Sequence, residues 1–415
     1  MTEIAILGFG VVGGGIAEAL TENRSVIEQK LGERVKLTRI LDLRDFPDSP
    51  FGAMVTHQFT DILNDGGISV VAETMGGSHP AYEYTKALLE AGKHVVTSNK
   101  EVVANFGAEL LQIAAAHGVR YLFEASVGGG VPIIRPMVND LAPNEITAVD
   151  GILNGTTNYI LTQMITRGVD FDTALREAQD MSFADALALA QANGFAEKDP
   201  TADVEGLDAA RKIVILAGLA FGTLPDPAKI HCEGITEISA TDVHAAAHFG
   251  YAVKLIAHAE KKGEQVLAMV SPRFVPFSSP LAHISDVFNG IMLHTDLTGD
   301  VMFYGRGAGK LPTASAVAAD IFDIVAHRGE AVRAPAFRPA SGADYADFAA
   351  YRCRSCFTFA GGESDAPALF AVFGKREFFA ADGHISLIGE EMSEKEADAA
   401  ARAVGLPFVS RIRLV

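Results

Sequence analysis

The sequence predicts an α/β protein whose N-terminal part is a doubly wound, mostly parallel sheet. Three observations favour this fold class. Strand and helix patterns alternate over residues 1–135, and a glycine-rich turn joins the first strand to the first helix. From about residue 144 the pattern becomes that of an α+β domain, and a small α+β module follows at residues 346–415.

The composition is that of a globular protein with an acidic surface. Of 415 residues, 49% are hydrophobic and 21% are charged, which suits two or three domains that each bury a core. The net charge of −18 repels phosphate polymers and anionic membranes, so we expect no nucleic-acid partner. The sequence starts with a strand pattern rather than a signal peptide. Its longest uncharged apolar run, near residues 213–224, is shorter than the roughly 20 residues that span a bilayer. We therefore expect a cytoplasmic protein without a membrane segment.

A G-x-G-x-x-G motif follows the first predicted strand directly. Residues 2–7 form the strand, and a helix pattern continues after the motif to Leu20. In this context the glycines permit a tight turn and let the backbone approach a pyrophosphate at the helix N-terminus. The motif therefore predicts dinucleotide binding on a Rossmann-type sheet. Its six residues are the candidate coenzyme contacts: Gly8, Phe9, Gly10, Val11, Val12 and Gly13.

The loops after the later strands of this sheet are predicted to face the nicotinamide. The patterns predict strands at residues 35–41, 69–73, 94–97 and 120–123 and helices at 80–91 and 105–117. Ligands bind beyond the carboxyl ends of such strands, which places the loops 72–77 and 97–100 at the coenzyme. Thr74, Ser98 and Lys100 are the candidate contacts there. Lys100 is also a candidate catalytic lysine, with an ordinary surface charge as the alternative.

Two charged residues after the second strand give opposite indications about the coenzyme. Asp42 stands near the position of the acid that binds the ribose hydroxyls of NAD. Arg44 follows two residues later and is suited to the additional phosphate of NADP. The sequence therefore leaves the choice between NAD and NADP open.

The stretch Gly194–Lys212 is where chemistry is predicted. A helix is expected from about Val204 to Phe221, with Asp203 as its N-cap. Asp208 and Lys212 then lie one turn apart on one face, and the remainder of the helix is uncharged, which is typical of a buried segment. The alternative is a solvated ion pair, because many helix surfaces carry pairs at this spacing.

The middle of the chain is predicted to form a substrate domain over residues 136–302. Strands are expected at 146–153, 252–259, 265–271 and 290–295, and helices at 157–167, 183–193 and 204–221. Residues 307–327 read as a glycine turn and a helix that packs back on the first domain. The nucleotide-binding domain is therefore expected to comprise residues 1–135, completed by 303–345.

The C-terminal part is predicted to be a separate small module after a linker. Residues 334–347 are rich in Pro, Ala and Gly, which is typical of a linker. Short strands are expected at 351–360, 369–373, 384–387 and 408–415, with a helix at 394–404.

The cysteines and histidines give no strong indication of a metal site. The three cysteines are too few for a disulfide framework, and Cys353 and Cys356 form a lone C-x-x-C without a second pair. His244 and His248 lie one helical turn apart but lack the glutamate of the H-E-x-x-H motif. We interpret all of them as structural.

Several further motifs occur in the order that is typical of one enzyme family. They are Thr97–Val103 (T-S-N-K-E-V-V), Glu124–Ile134 (E-A-S-V-G-G-G-V-P-I-I), Gly151–Asn158 (G-I-L-N-G-T-T-N), Gly194–Lys212, Tyr304–Gly309 (Y-G-R-G-A-G) and Pro312–Ser315 (P-T-A-S). Together with the glycine motif they resemble the homoserine dehydrogenase family over roughly residues 1–345. No single motif is decisive, but their joint occurrence is highly specific.

The resemblance implies a reversible reaction in which NAD(P)H reduces L-aspartate 4-semialdehyde to L-homoserine. Lys212 matches the family's general acid and base, and Lys100 matches a second lysine beside the substrate. Asp208 matches the acid that orients the substrate hydroxyl and Lys212. The other positions that match functional residues are Glu197 and Asp203 near the substrate amino group, Gly155 and Thr156 in a loop over the substrate, and Gly307 at the coenzyme.

The resemblance also implies a metal ion, an assembly and a type of C-terminal module. Glu124, with backbone carbonyls at Val127, Gly129 and Val131, matches a structural sodium site, although a turn residue is the ordinary interpretation of Glu124. A homodimer or homotetramer is expected. Many members carry a regulatory ACT domain where this chain has its short tail, so we interpret the tail as a reduced, ACT-like module. It is expected to lack the glycine-containing effector loop, which puts feedback inhibition by threonine in question.

Two other functions are alternatives to this one. Another NAD(P)-dependent amino-acid oxidoreductase on a related two-domain scaffold would not need Gly194–Lys212 in this form. A nucleotide-sensing protein that has lost catalysis would be expected to lack Lys212 or Lys100, and both are present.

Overall fold

The computed structural model describes residues 1–165, 199–330 and 335–415, which form two compact units. The first unit comprises Met1–Ala148, Arg211–Ala228 and Leu293–Ser341, and the second comprises Val149–Ala210, Lys229–Met292 and Gly342–Val415. Each unit is therefore assembled from three separate stretches of the chain. None of the described helices is both long enough and apolar enough to span a membrane.

The strands of the described residues are, in chain order, β1 Thr2–Leu7, β2 Val35–Leu41, β3 Val55–Thr56, β4 Ile68–Glu73, β5 His94–Thr97, β6 Tyr121–Leu122, β7 Ile146–Ile152, β8 Thr223–Leu224, β9 His231–Cys232, β10 Tyr251–Lys262, β11 Gln265–Pro276, β12 Phe288–Thr295, β13 Gly299–Arg306, β14 Arg338–Pro339, β15 Arg352–Cys353, β16 Ser355–Ala360, β17 Phe378–Ala381, β18 His384–Ile388, β19 Met392–Ser393 and β20 Phe408–Leu414.

The α-helices of the same residues are α1 Val11–Glu22, α2 Arg24–Leu31, α3 Thr60–Leu63, α4 Ala81–Glu90, α5 Lys100–Ala116, α6 Ile134–Val138, α7 Gly155–Ile165, α8 Thr201–Val204, α9 Leu207–Phe221, α10 Ala240–His248, α11 Lys310–Ala326, α12 Ala366–Phe373 and α13 Glu394–Ala403.

The first unit contains the parallel sheet that the sequence predicts. Its strand order is β3-β2-β1-β4-β5-β6, and every pairing in it is parallel. The central strands are buried on both faces, with Ile4, Ile6 and Val96 at 0% exposure, because helices cover both sides of such a sheet. Helix α11 contributes Val317 to the same core, so the prediction that this helix returns to the nucleotide-binding part is confirmed.

The second unit is built on an antiparallel hairpin of β10 and β11, which pair along their whole length from Tyr251↔Pro276 to Lys262↔Gln265. Its sheet runs in the order β12-β7-β10-β11-β20-β16-β18-β17. Strand β20 lies parallel to β11, with Arg273 opposite Arg413. The C-terminal strand therefore extends the sheet of the hairpin.

The last part of the second unit has a β-α-β-β-α-β order. Strands β16, β17, β18 and β20 alternate with helices α12 and α13, and their order in the sheet is β20-β16-β18-β17. This is the connectivity of the split β-α-β, or ferredoxin-like, motif. Phe357, Phe359 and Leu369 form its core.

Two predictions about this part are wrong. Residues 369–373 lie in helix α12 rather than in a strand, because Pro367 and the following Gly374 mark a helix start and stop around a short apolar run whose periodicity is ambiguous. Since the first helix begins at Ala366, Gly361 and Gly362 lie between the first strand and the first helix. The connection therefore does contain glycine, contrary to the prediction.

The helix predicted at 204–221 is interrupted. Helix α8 ends at Val204 and α9 begins at Leu207, because Gly206 between them has φ +80°, a conformation that L side chains avoid. Asp203 lies inside α8 rather than at the N-cap, so that prediction is wrong. Helix α5 also begins five residues before the predicted start, at Lys100, because the side chain of Asn99 caps it.

The predicted linker at 334–347 contains ordered structure. Phe337 is 6% exposed, and its ring lies against α5 and α9, 3.4 and 3.3 Å from where Cβ atoms on Gly107 and Gly218 would stand. Strand β14 then pairs with β8. Strand β13 was not predicted, and the helix predicted at 183–193 lies outside the described residues.

Candidate active site

The glycine turn of the first unit has the geometry of a phosphate-binding turn. Gly8 has φ +88°, and a Cβ atom on Gly13 would stand 2.0 Å from the carbonyl oxygen of Gly8, so neither position accepts a side chain. A Cβ on Gly10 would meet no atom within 4 Å. Helix α1 begins at Val11, and its N-terminal N–H groups give this open space a positive partial charge.

Asp42 and Arg44 form one paired group beside the turn. Asp42 accepts the backbone N–H of Phe9 at 2.8 Å and the Arg44 guanidinium through Nε and Nη2 at 3.0 Å each. The hydrogen bond from Arg44 lowers the pKa of Asp42 to about 2. The exposed guanidinium of Arg44 also lies 5.1 Å above the Phe46 ring. The two residues that gave opposite coenzyme indications are therefore in direct contact.

A cavity of about 360 Å³ lies at the glycine turn. Phe9, Gly10, Val11, Phe46 and Lys310 are among the residues that line it. The rings of Phe9, Phe46 and Phe51 form part of its wall, which suits a planar base. Lys310 Nζ is held 2.5 Å from Glu18 Oε1, so this lysine is paired within the cavity wall.

The ends of β4 and β5 are joined by buried hydrogen bonds. Thr97 donates to Glu73 Oε2 at 2.7 Å, and the backbone N–H of Met75 donates to Oε1 at 2.7 Å. Glu73 is 0% exposed, and burial raises its pKa to about 7. Thr74 donates to the carbonyl oxygens of Leu7 and Gly8. The loop with the predicted contact Thr74 is therefore fastened to the glycine turn.

Asn99 connects the two loops that the sequence predicts at the coenzyme. Its amide donates to the carbonyl oxygens of Met75 and Gly77 at 3.2 and 2.8 Å, while its Oδ1 caps α5. Ser98 is half-buried, and so is Lys100, the first residue of α5. Lys100 thus stands at a helix N-terminus rather than in a loop.

Lys212 is a buried lysine of α9, 8% exposed, and Asp208 is 3% exposed. They are one turn apart in this helix, as the sequence predicts, and their burial removes the alternative of a solvated pair. The boundary between the two units falls between them, after Ala210. In the first unit, Arg211 and Glu101 form an ion pair of 3.1 Å. Since Lys212 follows Arg211 and Lys100 precedes Glu101, this pair brings the chain segments of both candidate lysines together.

In the second unit, Asn154 gathers two of the predicted acids. Its amide donates to Asp203 Oδ1 at 2.7 Å and to Asp208 Oδ2 at 2.9 Å. Its Oδ1 accepts the backbone N–H of Thr157 at the start of α7. Thr156 lies in the same helical turn and is 9% exposed. Half-buried Asp203 and buried Asp208 therefore share one donor, and two carboxylates held side by side suit an ammonium group.

Gly155 begins α7 in a confined position. A Cβ atom there would stand 2.8 Å from the carbonyl oxygen of Val287. Glycine therefore lets the chain at 287 approach the start of the helix.

Glu124 is fixed by backbone N–H groups. Its Oε1 accepts from Ile133 and Ile134 at 2.6 and 2.8 Å, and Oε2 accepts from Arg135 at 2.7 Å. Asp320 accepts the N–H of Glu124 and the guanidinium of Arg135, and burial raises the pKa of Asp320 to about 7. Glu124 thus closes the loop from residue 124 to residue 135.

The same loop packs on the chain at Gly307. A Cβ atom on Gly129 would stand 2.2 Å from the Gly307 carbonyl oxygen, and the N–H of Gly130 donates to the Arg306 carbonyl at 3.0 Å. In the described part of the chain, no three His, Cys, Asp or Glu side chains group as metal ligands. Cys353 and Cys356 are free thiols.

The predicted site residues therefore fall into two described groups. The first unit holds the glycine turn, Asp42, Thr74, Lys100 and Lys212, and the second holds Thr156, Asp203 and Asp208. Glu197 lies outside the described residues. Sequence reasoning did not assign roles to three buried polar residues that organise these groups: Glu73, Asn99 and Asn154. All three occur within motifs or loops already singled out, which is the signal that could have identified them.

Comparison with known proteins gives the same family for both groups. The model for the NAD-binding domain of homoserine dehydrogenase matches residues 8–124, and the model for homoserine dehydrogenase matches residues 132–322. A homoserine dehydrogenase of Synechocystis sp. is 41% identical over 329 residues, which are 78% of this chain and 73% of that protein.

Solved structures agree with the sequence comparison. A homoserine dehydrogenase from Thiobacillus denitrificans has a TM-score of 0.86 at 31% identity, covering 100% of this chain and 98% of that one. A hyperthermophilic archaeal homoserine dehydrogenase in complex with NADPH has a TM-score of 0.64 at 26% identity, covering 80% of this chain and 99% of that one. The chain therefore belongs to the homoserine dehydrogenase family of NAD(P)-dependent oxidoreductases acting on a CH–OH group.

Proposed function

We propose that this chain interconverts L-aspartate 4-semialdehyde and L-homoserine with Lys212 as general acid and base. The observation that carries this is the burial of Lys212 in the same helix as the buried Asp208. The bound coenzyme supplies or accepts the hydride. In the reduction, negative charge develops on the aldehyde oxygen, and the Lys212 ammonium stabilises this charge and donates a proton to it. In the reverse direction the neutral amine accepts the hydroxyl proton.

Asp208, Asp203 and Asn154 are proposed to bind and orient the substrate. Asn154 holds one oxygen of each carboxylate, which leaves the acids pre-oriented toward a cation. Lys100 is proposed as the second lysine beside the substrate, and Gly155 and Thr156 as the loop that covers it. Glu197 is proposed, by family resemblance, as a further carboxylate near the amino group.

NADP and NAD are both proposed as coenzymes, bound along the turn Gly8–Gly13 and contacted by Thr74, Ser98, Lys100 and Gly307. The archaeal relative in complex with NADPH supports NADP. The Asp42–Arg44 pair supplies both a carboxylate for ribose hydroxyls and a guanidinium for a 2′-phosphate. The preference between NADP and NAD depends on which of these two groups contacts the ribose.

A structural Na⁺ is proposed at Glu124 and the carbonyls of Val127, Gly129 and Val131. Hard cations of this kind prefer oxygen ligands. Among the hydrogen bonds between described residues, none is accepted by these three carbonyls. Glu124 Oε2 receives one N–H group, so it retains lone pairs for a cation. The residues present therefore fit a sodium ion.

Three broader features are proposed from the family resemblance. The chain functions as a homodimer or homotetramer in the cytoplasm, in the branch of amino-acid biosynthesis that leads to threonine, methionine and isoleucine. Residues 346–415 are proposed as a reduced ACT-like module, which the β-α-β-β-α-β order supports. The domain division at residues 135, 302 and 345 is likewise a proposal.

The proposed reaction is tested by following nicotinamide absorbance with L-homoserine and either NADP or NAD. Lys212→Ala is expected to lower turnover by at least about 100-fold, because it removes the proton donor and acceptor. The Michaelis constant for the coenzyme should change little, since Lys212 acts on the substrate oxygen.

Lys86→Ala is the matched control. Lys86 is a half-buried helix lysine of the same unit that pairs with Glu109, and its loss should leave turnover near the wild-type value. Turnover of Lys212→Ala close to that of this control would contradict the assignment. Absence of coenzyme reduction in the wild-type protein would contradict the reaction itself.

A further inference from the structure

A second cavity with basic walls lies within the second unit, among residues that the proposed reaction does not use. Its volume is about 310 Å³, and Arg273, Arg354, His258, Tyr351 and Asp150 are among the residues that line it. Arg273 and His258 belong to the hairpin β10–β11, and Tyr351 and Arg354 to the segment that precedes strand β16.

Arg273 is a buried guanidinium without a carboxylate partner. It is 2% exposed, and no ion pair of the described residues includes it. Its Nη1 donates to the Tyr351 hydroxyl at 3.2 Å and its Nη2 contacts the Met269 sulfur at 2.9 Å. Its Nε has no hydrogen-bond partner among the described residues. A buried cation in this condition is unfavourable unless an anion accompanies it.

The neighbouring strand supplies a direct comparison. Arg413 lies opposite Arg273 in the sheet and is equally buried at 2% exposure. It is fully paired, with Glu394 at 2.8 Å and Glu233 at 2.7 Å. The sheet therefore contains two buried arginines of which only one has its counter-charge in the described residues.

The acidic side chains near the cavity are paired with groups other than Arg273. Asp150 is paired with His258 Nδ1 at 2.9 Å, and Glu260, 3.8 Å from His258 Nε2, is paired with Lys262. The exposed Arg354 adds a second guanidinium, and no ion pair of the described part of the chain involves it. The C-terminal residue Val415 also lines the cavity, and no ion pair between described residues joins its carboxylate to Arg273 or Arg354.

We propose that this cavity is a binding site for a small oxyanion, held by Arg273 and Arg354. Guanidinium groups bind carboxylates and phosphates through parallel N–H donors, and the Tyr351 hydroxyl, which already contacts Arg273, is a further donor. The volume admits an anion of the size of inorganic phosphate or a small dicarboxylate together with water. The site belongs to the sheet of the second unit and is independent of the coenzyme turn in the first.

The test is isothermal titration calorimetry of the full chain with inorganic phosphate, and in a second arm with succinate, at constant ionic strength set by NaCl. Saturating coenzyme is present throughout, so that the glycine turn is occupied. One of the two anions is expected to bind with one site per chain. Arg354→Ala and Arg273→Met should each weaken that binding by at least about tenfold, because each removes a charged donor.

Arg352→Ala is the matched control. Arg352 also lines the cavity but is already paired with Glu396 and Glu391, so its loss should change the affinity by less than about twofold. Arg354 is exposed, and its replacement leaves the fold intact even if Arg273→Met does not fold. The proposal is overturned if neither anion binds, or if Arg354→Ala binds the anion as tightly as the wild-type chain.

Discussion

Asn154 has a role that a carboxylate or an apolar residue at the same position would not fill. Its amide N–H groups donate to Asp203 and Asp208, while its side-chain carbonyl oxygen accepts the backbone N–H of Thr157 in the first turn of α7. An amide is the side chain that can donate and accept in this way. Because Asn154 is 5% exposed, water cannot replace these bonds.

Replacement of Asn154 by leucine, which has a similar volume, should impair substrate binding rather than coenzyme binding. The two acids would lose their common donor, and the Michaelis constant for homoserine is expected to rise by at least about tenfold. Steady-state kinetics with each substrate varied in turn provides the measurement. An equal rise in the coenzyme constant would mean that the variant disturbs the whole molecule instead.

Glu73 is a buried acid whose protonation is coupled to stability. Its pKa is raised by burial from 4.5 to about 7, so the folded state holds the proton more tightly than the unfolded state. The resulting stabilisation is complete below pH 4.5 and is lost as the pH rises through about 7. Each tenfold change in the dissociation constant corresponds to about 1.4 kcal/mol, so the whole effect is about 3 kcal/mol.

Glu73→Gln should therefore lose part of the pH dependence of unfolding. The free energy of unfolding from urea titrations is measured for both proteins between pH 5 and pH 8. The wild-type chain is expected to lose up to about 3 kcal/mol more than the glutamine variant over this range. Asp320, whose pKa is also about 7, contributes equally to both proteins and cancels in the difference. Parallel pH profiles would contradict the protonation of Glu73.

Among the elements, the break between α8 and α9 is set by one glycine. Gly206 has φ +80°, and a Cβ there would stand 3.1 Å from both Cys232 Sγ and Val270 Cγ1. Its backbone also turns the chain so that Asp203 and Asp208 reach the same asparagine. If one continuous helix included both acids, their five-residue separation would place them on different faces.

Gly206→Ala should destabilise the protein by about 2 kcal/mol, from backbone strain and close contacts together. The control is Gly222→Ala. Gly222 has φ +71°, but a Cβ atom there would meet no atom within 4 Å, so only the strain of about 1 kcal/mol applies. Urea unfolding gives the free energy of unfolding of both variants. An equal loss in the two would show that the close contacts at Gly206 add nothing to the backbone strain.

The elements that could be predicted from sequence are those whose pattern is local. Strands β1, β2 and β5 match their predicted limits, because each is a buried run between polar turns. Helix α12 could not be distinguished from a strand, since five apolar residues show no clear period. The glycine turn and Asp42 were also predictable. The role of Asn154 was not, because it depends on a partner at Asp203, 49 residues away in the chain.

For the molecule as a whole, the C-terminal strand β20 is fastened to the hairpin by a buried charge network. Arg413 is paired with Glu394 and Glu233, and Arg411 also contacts Glu394. These pairs connect the β-α-β-β-α-β part to strand β9 and the rest of the second unit. Because removing one partner leaves a buried charge uncompensated, the stability of the network depends on every partner being present.

Arg413→Met should lower the free energy of unfolding by about 3 kcal/mol, because two buried or half-buried carboxylates lose their partner. Arg352→Met is the control, since Arg352 forms only exposed pairs and should cost less than about 1 kcal/mol. Chemical unfolding of both variants gives the difference. Similar stabilities would show that Glu394 and Glu233 are solvated without Arg413.

The assembly of each unit from three stretches of chain has a consequence for the order in which the protein can fold. During synthesis the first unit lacks α11 until residues up to Ala326 have been made, although its six sheet strands are complete by Leu122. The second unit cannot add β20 beside β11 until about 140 residues after β11. Neither unit can complete its fold before the other is largely synthesised. For most of its translation the chain therefore exposes unpaired apolar surfaces, and these require protection from aggregation.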